Sequence, residues 1–229
     1  MSAVYTRGMT LNEIKNLTEA MVNFGNKLKL NGNIYDKHSI GGVPGNRTTP
    51  IVVAICASAG LKIPKTSSRA ITSAAGTADV IETVAKVDFS INKIKEIVKK
   101  TNACMVWGGT LGLSPTDDKI IKIEHIVNLD SKPQLVASIL SKKISVGSKY
   151  ILIDIPYGKS AKASKKQAEK LKRTFLYLAK KFKLRLEAVL TDGSEPIGNG
   201  IGPLLEMRDV IRILSRKNPP KDLEDKSVF

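Results

Sequence analysis

Lys37-His38-Ser39-Ile40-Gly41-Gly42 brings a cation, a hydroxyl and two glycines to the end of a short strand candidate, Ile34-Tyr35-Asp36. Backbone N–H groups in the glycine turn, together with the Ser39 hydroxyl, are suited to converge on an anion at the C-terminal edge of a sheet. The order is not that of a Walker phosphate loop, because the lysine precedes the glycines and no Gly-Lys-Ser/Thr follows them. A tight turn that needs positive φ accounts for Gly41-Gly42-Val43-Pro44-Gly45 by itself. It does not account for Lys37, Ser39, Arg47 and Thr48 gathered around that turn, and an anion site does.

A second stretch, from Thr66 and Ser67 through Ser68-Arg69-Ala70-Ile71-Thr72-Ser73 to Gly76-Thr77-Ala78-Asp79, is rich in hydroxyls and ends at a helix start. Neutral donors and one guanidinium suit phosphate oxygens beside a helix N-terminus. Thr77 also reads as a cap for that helix, and the two roles are compatible.

Other reactive residues offer less. His38 and His125 are far apart and no Cys/His spacing suggests zinc, so no metal is expected. His38 reads as shaping its loop or touching a sugar, and Trp107, in an apolar run, reads as core. Cys56 and Cys104 each sit in an apolar run, as reduced thiols do. The lysines between 159 and 183 form a solvated helix face, with Lys162 the one that belongs in a pocket.

The elements that must position these groups follow from periodicity. Leu11, Ile14, Leu17, Met21, Phe24 and Leu28 keep helical spacing behind Thr10 and Glu13, a capping-box pair. A buried helix is expected over Pro50 to Ala59, helical spacing at Val80 and Val84 and at Ile91, Ile94 and Ile97-Val98, and buried parallel strands at Ala103 to Trp107 and Tyr150 to Ile155. Helices are expected at Pro133 to Lys143, Ser160 to Lys183 and Pro203 to Ser215, with a last strand at Leu186 to Leu190. Asn218-Pro219-Pro220-Lys221 breaks the terminal helix, and the chain then stops without a concluding element, as a fragment would.

Alternating strands and long helices argue an α/β fold, a mostly parallel sheet flanked by helices, with a smaller all-helical lobe. The lobe is expected from residues 1–30 and 113–145, and the α/β part from 31–112, holding the phosphate site, and 146–229.

With 37 basic and 21 acidic residues among 229, the net charge is +16. That potential suits nucleic acid, an anionic membrane surface or small phosphorylated ligands. At 42% hydrophobic and 25% charged, the composition excludes wholesale disorder and fibrous repeats. Even Ile51 to Leu61 falls short of the ~20 residues of a membrane span. Met1 to Met9 lacks a secretory apolar core, so a cytoplasmic location is expected. Aromatics are only 5%, and no RNA-recognition motif or zinc finger appears, which weakens a nucleic-acid-binding reading.

Four blocks in order, Asp36 to Val43, Ser67 to Asp79, Ala137-Ser138-Ile139-Leu140-Ser141-Lys142-Lys143 and Thr191 to Gly198, resemble the thymidine phosphorylase family. Val43-Pro44-Gly45-Asn46, Ser68 to Ser73 and Ile155-Pro156-Tyr157-Gly158 resemble its archaeal AMP phosphorylase branch. The resemblance covers nearly the whole chain but only the family's middle. It implies a nucleoside phosphorylase/phosphoribosyltransferase-like fold and phosphorolysis of AMP by inorganic phosphate, giving adenine and ribose 1,5-bisphosphate. It further implies no cofactor beyond phosphate as co-substrate, no specific nucleic acid or membrane partner, and a homo-oligomer for the full-length protein.

By position, the resemblance assigns phosphate to Lys37, Ser39, Thr48, Ser67 and Thr77. It assigns the nucleotide to Gly42, Ser68, Arg69, Ala70, Ile71, Thr72, Ser73, Thr77, Ser138, Lys142 and Lys162, and the proton donor to Asp130. Taken alone, Asp130 before a helix reads as an N-terminal acid with a lowered pKa, the opposite of what a donor needs. Ile123, with Lys122 beside it, stands where thymidine phosphorylases carry a base-binding arginine, which argues against pyrimidine nucleosides.

Overall fold

Among the described residues five short strands alternate with helices, four of them where the sequence leads one to expect a strand. The computed structural model describes residues 2–70, 75–127, 129 and 131–229. Strand β1 (Tyr35–Ser39) pairs in parallel with β4 (Tyr150–Tyr157), which pairs in parallel with β5 (Arg185–Asp192). Strands β2 (Ile63–Ser67) and β3 (Ala103–Trp107) form a second parallel pair. The two groups meet at one bridge, Ile34 to Lys62, where the Tyr35 N–H donates to the Lys62 carbonyl at 2.8 Å.

The helices run in chain order as α1 (Ser2–Arg7), α2 (Leu11–Asn23), α3 (Thr48–Ser58), α4 (Thr77–Glu82), α5 (Ile91–Thr101), α6 (Pro115–Val127), α7 (Lys132–Val146), α8 (Lys165–Lys181), α9 (Pro203–Leu214) and α10 (Lys221–Val228). Their ends have chemical causes. The Thr10 hydroxyl accepts from the Glu13 N–H while the Glu13 carboxylate accepts from the Thr10 N–H, which closes the expected capping box on α2. Ser164 closes the same box on α8 with Gln167, Ser90 caps α5 by accepting from the Lys93 N–H, and Asn102 and Gly147 end α5 and α7 in the left-handed region.

Several boundaries depart from expectation. Helix α2 ends at Asn23, so Phe24 is exposed and Leu28 is buried in a different cluster. Strand β2 and helices α1, α6 and α10 are additional, α10 following the Pro219-Pro220 break.

The largest core lies between the β1-β4-β5 sheet and helices α2, α7 and α8. Ala168, Leu171, Phe175 and Leu178 bury the apolar stripe of α8 against Ile151, Ile153 and Ile155 of β4. Phe175 is fully buried, and truncating it to alanine should cost about 3–5 kcal/mol. Smaller clusters around Ile94, Val98 and Val106, and around Ile51, Val80 and Val210, pack the β2-β3 side. Among the described residues, no helix is long and apolar enough to cross a membrane.

Candidate functional site

Strands β1, β2 and β3 all end at one cleft of about 780 Å³, so its floor is the carboxyl edge of parallel strands. The turn after β1 and the loop after β2 both line it, Ser39 and Thr77 among their residues. The opposite wall comes from α6 and α7, with Ser138 and Lys142 on its surface.

The glycine turn is built for close approach. Gly42 has φ +96°, and a Cβ there would lie 2.6 Å from the Lys162 backbone nitrogen. Only glycine lets the 158–164 segment fold over the turn and present Lys162 to the cleft. The Ser39 hydroxyl accepts from the Gly41 N–H at 3.4 Å.

Lys37 and Thr48, expected to hold phosphate, are buried and do not line the cleft, and the Lys37 ammonium donates to the Thr48 hydroxyl. Burial pulls Lys37 down to about 8, opposed by the Asp154 carboxylate. Asp154 is itself held by the Thr191 hydroxyl at 2.6 Å.

The second loop is pinned by Asp79. Its carboxylate accepts from the Ala70 N–H at 2.8 Å and the Gly76 N–H at 2.9 Å, while the Ser68 carbonyl accepts from Ala78 N–H at 3.3 Å. This folds Ser67, Ser68 and Ala70 onto the cleft. The Ser67 hydroxyl is buried with no hydrogen-bond partner among the described residues, as a group awaiting a ligand oxygen would be.

Arg69 borders the cleft, yet its guanidinium pairs with Glu82 and Asp79 and sits 4.7 Å over the Trp107 ring. Trp107, expected in the core, therefore turns one side of its ring to the cleft while also packing against the cluster around Val80.

Two buried lysines, Lys65 and Lys143, also border the cleft. Asp36 accepts from Lys143 at 2.8 Å and faces Lys65 at 3.6 Å, and Lys65 donates to the Thr66 carbonyl at 2.6 Å. Burial beside Lys143 pulls Lys65 down. Burial, then the ammoniums of Lys143, Lys65, Lys142 and Lys37, hold His38 well below the usual histidine range, so its imidazole is neutral.

On the helical wall, Asp117 of α6 has no exposed side-chain surface and gathers three donors from α7: Gln134 at 3.1 Å, Ser138 at 2.7 Å and Lys142 at 2.6 Å. One buried carboxylate thus orients both wall residues that the sequence singles out. Elsewhere Arg47 pairs with Glu206 of α9, fixing the outer edge of the glycine turn.

The structure brings Ser39, Gly42, Ser67, Ser68, Arg69, Ala70, Thr77, Ser138, Lys142 and Lys162 to this single cleft. Ile71, Thr72, Ser73 and Asp130 lie outside the described residues. Sequence reasoning missed Lys65, Asp117, Asp118 and Glu206. Asp117-Asp118 behind Pro115 is an acidic first turn of the kind that starts a helix, a signal open to reading. Nothing local marks Lys65 or Glu206.

A parallel α/β sheet whose strand ends carry a glycine turn faces a helical wall across a cationic cleft, an arrangement suited to an anionic ligand. Residues 31–198 match the glycosyl transferase family, α/β domain, and the chain belongs to that family. It is 51% identical over 219 residues to an AMP phosphorylase of Natronomonas pharaonis, covering 95% of this chain and 44% of that protein. It is 47% identical over 230 residues to an AMP phosphorylase of Methanocaldococcus jannaschii, covering 100% and 46%. A Bradyrhizobium protein named "Putative thymidine phosphorylase" is 49% identical over 223 residues, covering 96% and 44%. The chain spans a little under half the length of these relatives.

Among solved structures, anthranilate phosphoribosyltransferase from Thermus thermophilus superposes with a TM-score of 0.77 at 15% identity, over 99% of this chain and 74% of that one. The enzyme from Saccharomyces cerevisiae gives 0.58 at 17%, over 79% and 47%. At these identities the likeness establishes the fold, which is the phosphorylase and phosphoribosyltransferase-like class.

Proposed function

We propose that this cleft carries out phosphorolysis of AMP, with inorganic phosphate as co-substrate and no other cofactor, to give adenine and ribose 1,5-bisphosphate. The observation that carries the reading is the convergence of the two anion-suited loops, at Ser39–Gly42 and Ser67–Thr77, on one cleft opposite Ser138 and Lys142. The two AMP phosphorylase relatives support the choice of nucleotide.

In this reaction a phosphate oxygen attacks C1′ of the ribose, and the C1′–N9 bond breaks with its electron pair passing to adenine. Positive charge builds on the sugar and negative charge on the departing base. Phosphate held by Ser39, Ser67 and Thr77, with Lys37 supplying charge behind Thr48, is pinned for that attack. Ser138 and Lys142, oriented by Asp117, hold the nucleotide on the helical wall. Asp130, which the family resemblance assigns as proton donor, delivers a proton to the leaving base. The neutral His38 imidazole is unsuited to give up a proton near neutral pH, which fits a contact role.

Adenine release from AMP that requires phosphate, and that falls at least about tenfold when adenosine replaces AMP, is the expected result. Adenine release without phosphate, or none at all, removes the proposal. The Bradyrhizobium relative's name supports a second reading, phosphorolysis of thymidine. Faster turnover of thymidine than of AMP in the same assay would put that reading first.

A further inference from the structure

Asp117 and Asp118 are neighbours at the start of α6 yet turn to different surroundings. Asp117 is buried and spends its oxygens on Gln134, Ser138 and Lys142 of α7. Asp118 lines the cleft, and among the described residues no group is hydrogen-bonded to its carboxylate. The same wall carries apolar side chains, Ile121 on α6 and Leu135 and Ile139 on α7, among the polar Lys122, Ser138 and Lys142. The charges that act on it are Lys142, Asp117 and Lys122. Burial pushes the Asp118 carboxyl up, with Lys142 pulling it back.

A wall that offers three branched apolar side chains and one carboxyl without a hydrogen-bond donor suits a flat heteroaromatic ring that carries an amino group. A carboxyl accepts from the amino N–H, whereas a carbonyl at the same ring position would set its lone pairs against the carboxylate oxygens. Ser138 and Lys142 on this wall cannot make that choice as freely, because both already donate to Asp117.

We propose that Asp118 is the specificity-determining residue for the base, accepting a hydrogen bond from the exocyclic amino group of an amino-bearing base such as adenine and disfavouring bases with a carbonyl there. The assignment rests on reading the cleft as a nucleotide phosphorylase site.

The test is calorimetric binding of free adenine and of free hypoxanthine to the protein in saturating phosphate, which needs no turnover. The protein should favour adenine by at least about tenfold, and Asp118→Asn, which offers a donor and an acceptor, should narrow the preference to within about threefold. Phosphate affinity should stay as in the parent protein. Asp118→Ala, with thermal unfolding followed alongside, should weaken adenine and leave hypoxanthine bound as well as or better than in the parent protein, and it decides the matter if the Asn variant fails to fold. Equal weakening of both bases, or an unchanged ratio, overturns the proposal. Base discrimination through Asp118 in a protein that releases no adenine from AMP would keep this assignment and sink the phosphorolysis. AMP turnover with a ratio insensitive to Asp118 would do the reverse.

Discussion

Gly42 backs directly onto Lys162: a Cβ on the glycine would sit 2.6 Å from both the backbone nitrogen and Cγ of the lysine. The turn after β1 and the segment after β4 are therefore interlocked, and the cleft keeps its shape only while position 42 has no side chain.

Gly42→Ala should accordingly cost about 1–3 kcal/mol of stability from backbone strain at φ +96°, with the clash added. Thermal unfolding and phosphate binding should both weaken. A variant with the parent's Tm and phosphate affinity would show that the turn and Lys162 move apart at no cost.

Lys37 gives a pH signature. Its folded value of about 8 lies below the usual 10.5, so between those values the unfolded chain holds more protons and ligand-free stability rises with pH. Phosphate affinity runs the other way, falling as pH climbs past 8 and the ammonium loses its charge. Lys37→Met should leave the ligand-free Tm at pH 7 unchanged or higher while lowering phosphate affinity by about tenfold or more. A lower Tm together with unchanged phosphate affinity contradicts the assigned role.

Asp117→Asn removes the charge that holds Lys142 and weakens the anchor of Ser138. Breaking a buried pair costs about 3 kcal/mol, less than the upper range because Lys142 keeps some solvent contact. At this chain length that is a Tm loss of roughly 6–12 °C. With Ser138 and Lys142 loosened, KM for the nucleotide should rise more than kcat falls.

Asp130→Asn should abolish most turnover while sparing AMP binding, because an amide is a far poorer acid than a carboxyl. Near-normal turnover would remove Asp130 as proton donor.

Burial pushes the Cys104 thiol up to about 12 and raises Cys56 as well. At pH 7.5 neither should label rapidly with a maleimide in the folded protein, and Cys104 should label only on unfolding. Fast labelling of Cys104 under native conditions would show that β3 opens readily.

Much of the scaffold is legible from periodicity and caps. Ala103 to Trp107 reads as the strand it forms, and Thr10 with Glu13 closes its capping box. Strand β2 is hidden because Pro64 and Lys65 interrupt its apolar run. Pro64 is tolerated there because, among the described residues, the backbone bridge on that flank is Ile34 to Lys62, before β2 begins, and Lys65 because its ammonium finds Thr66 and Asp36. Helix α6 is hidden by charges interleaved with its isoleucines, and the exposed Ile123 and Ile126 blur its stripe. At the site, residue types in the two loops point to anion binding before any coordinate. The carboxylates that position them do not, because Asp79 on Ala70, Asp117 on Ser138 and Glu206 on Arg47 act at sequence separations that no local pattern records.

The lone bridge between Ile34 and Lys62 has a mechanical consequence. Strand β4 is laced on both flanks, whereas β2, paired with β3 on one flank, is joined to the β1-β4-β5 group at a single stitch, with Asp36 and its two lysines wedged beyond it. The seam of least cohesion runs directly under the cleft, and deuterium should enter the amides of β2 well before those of β4.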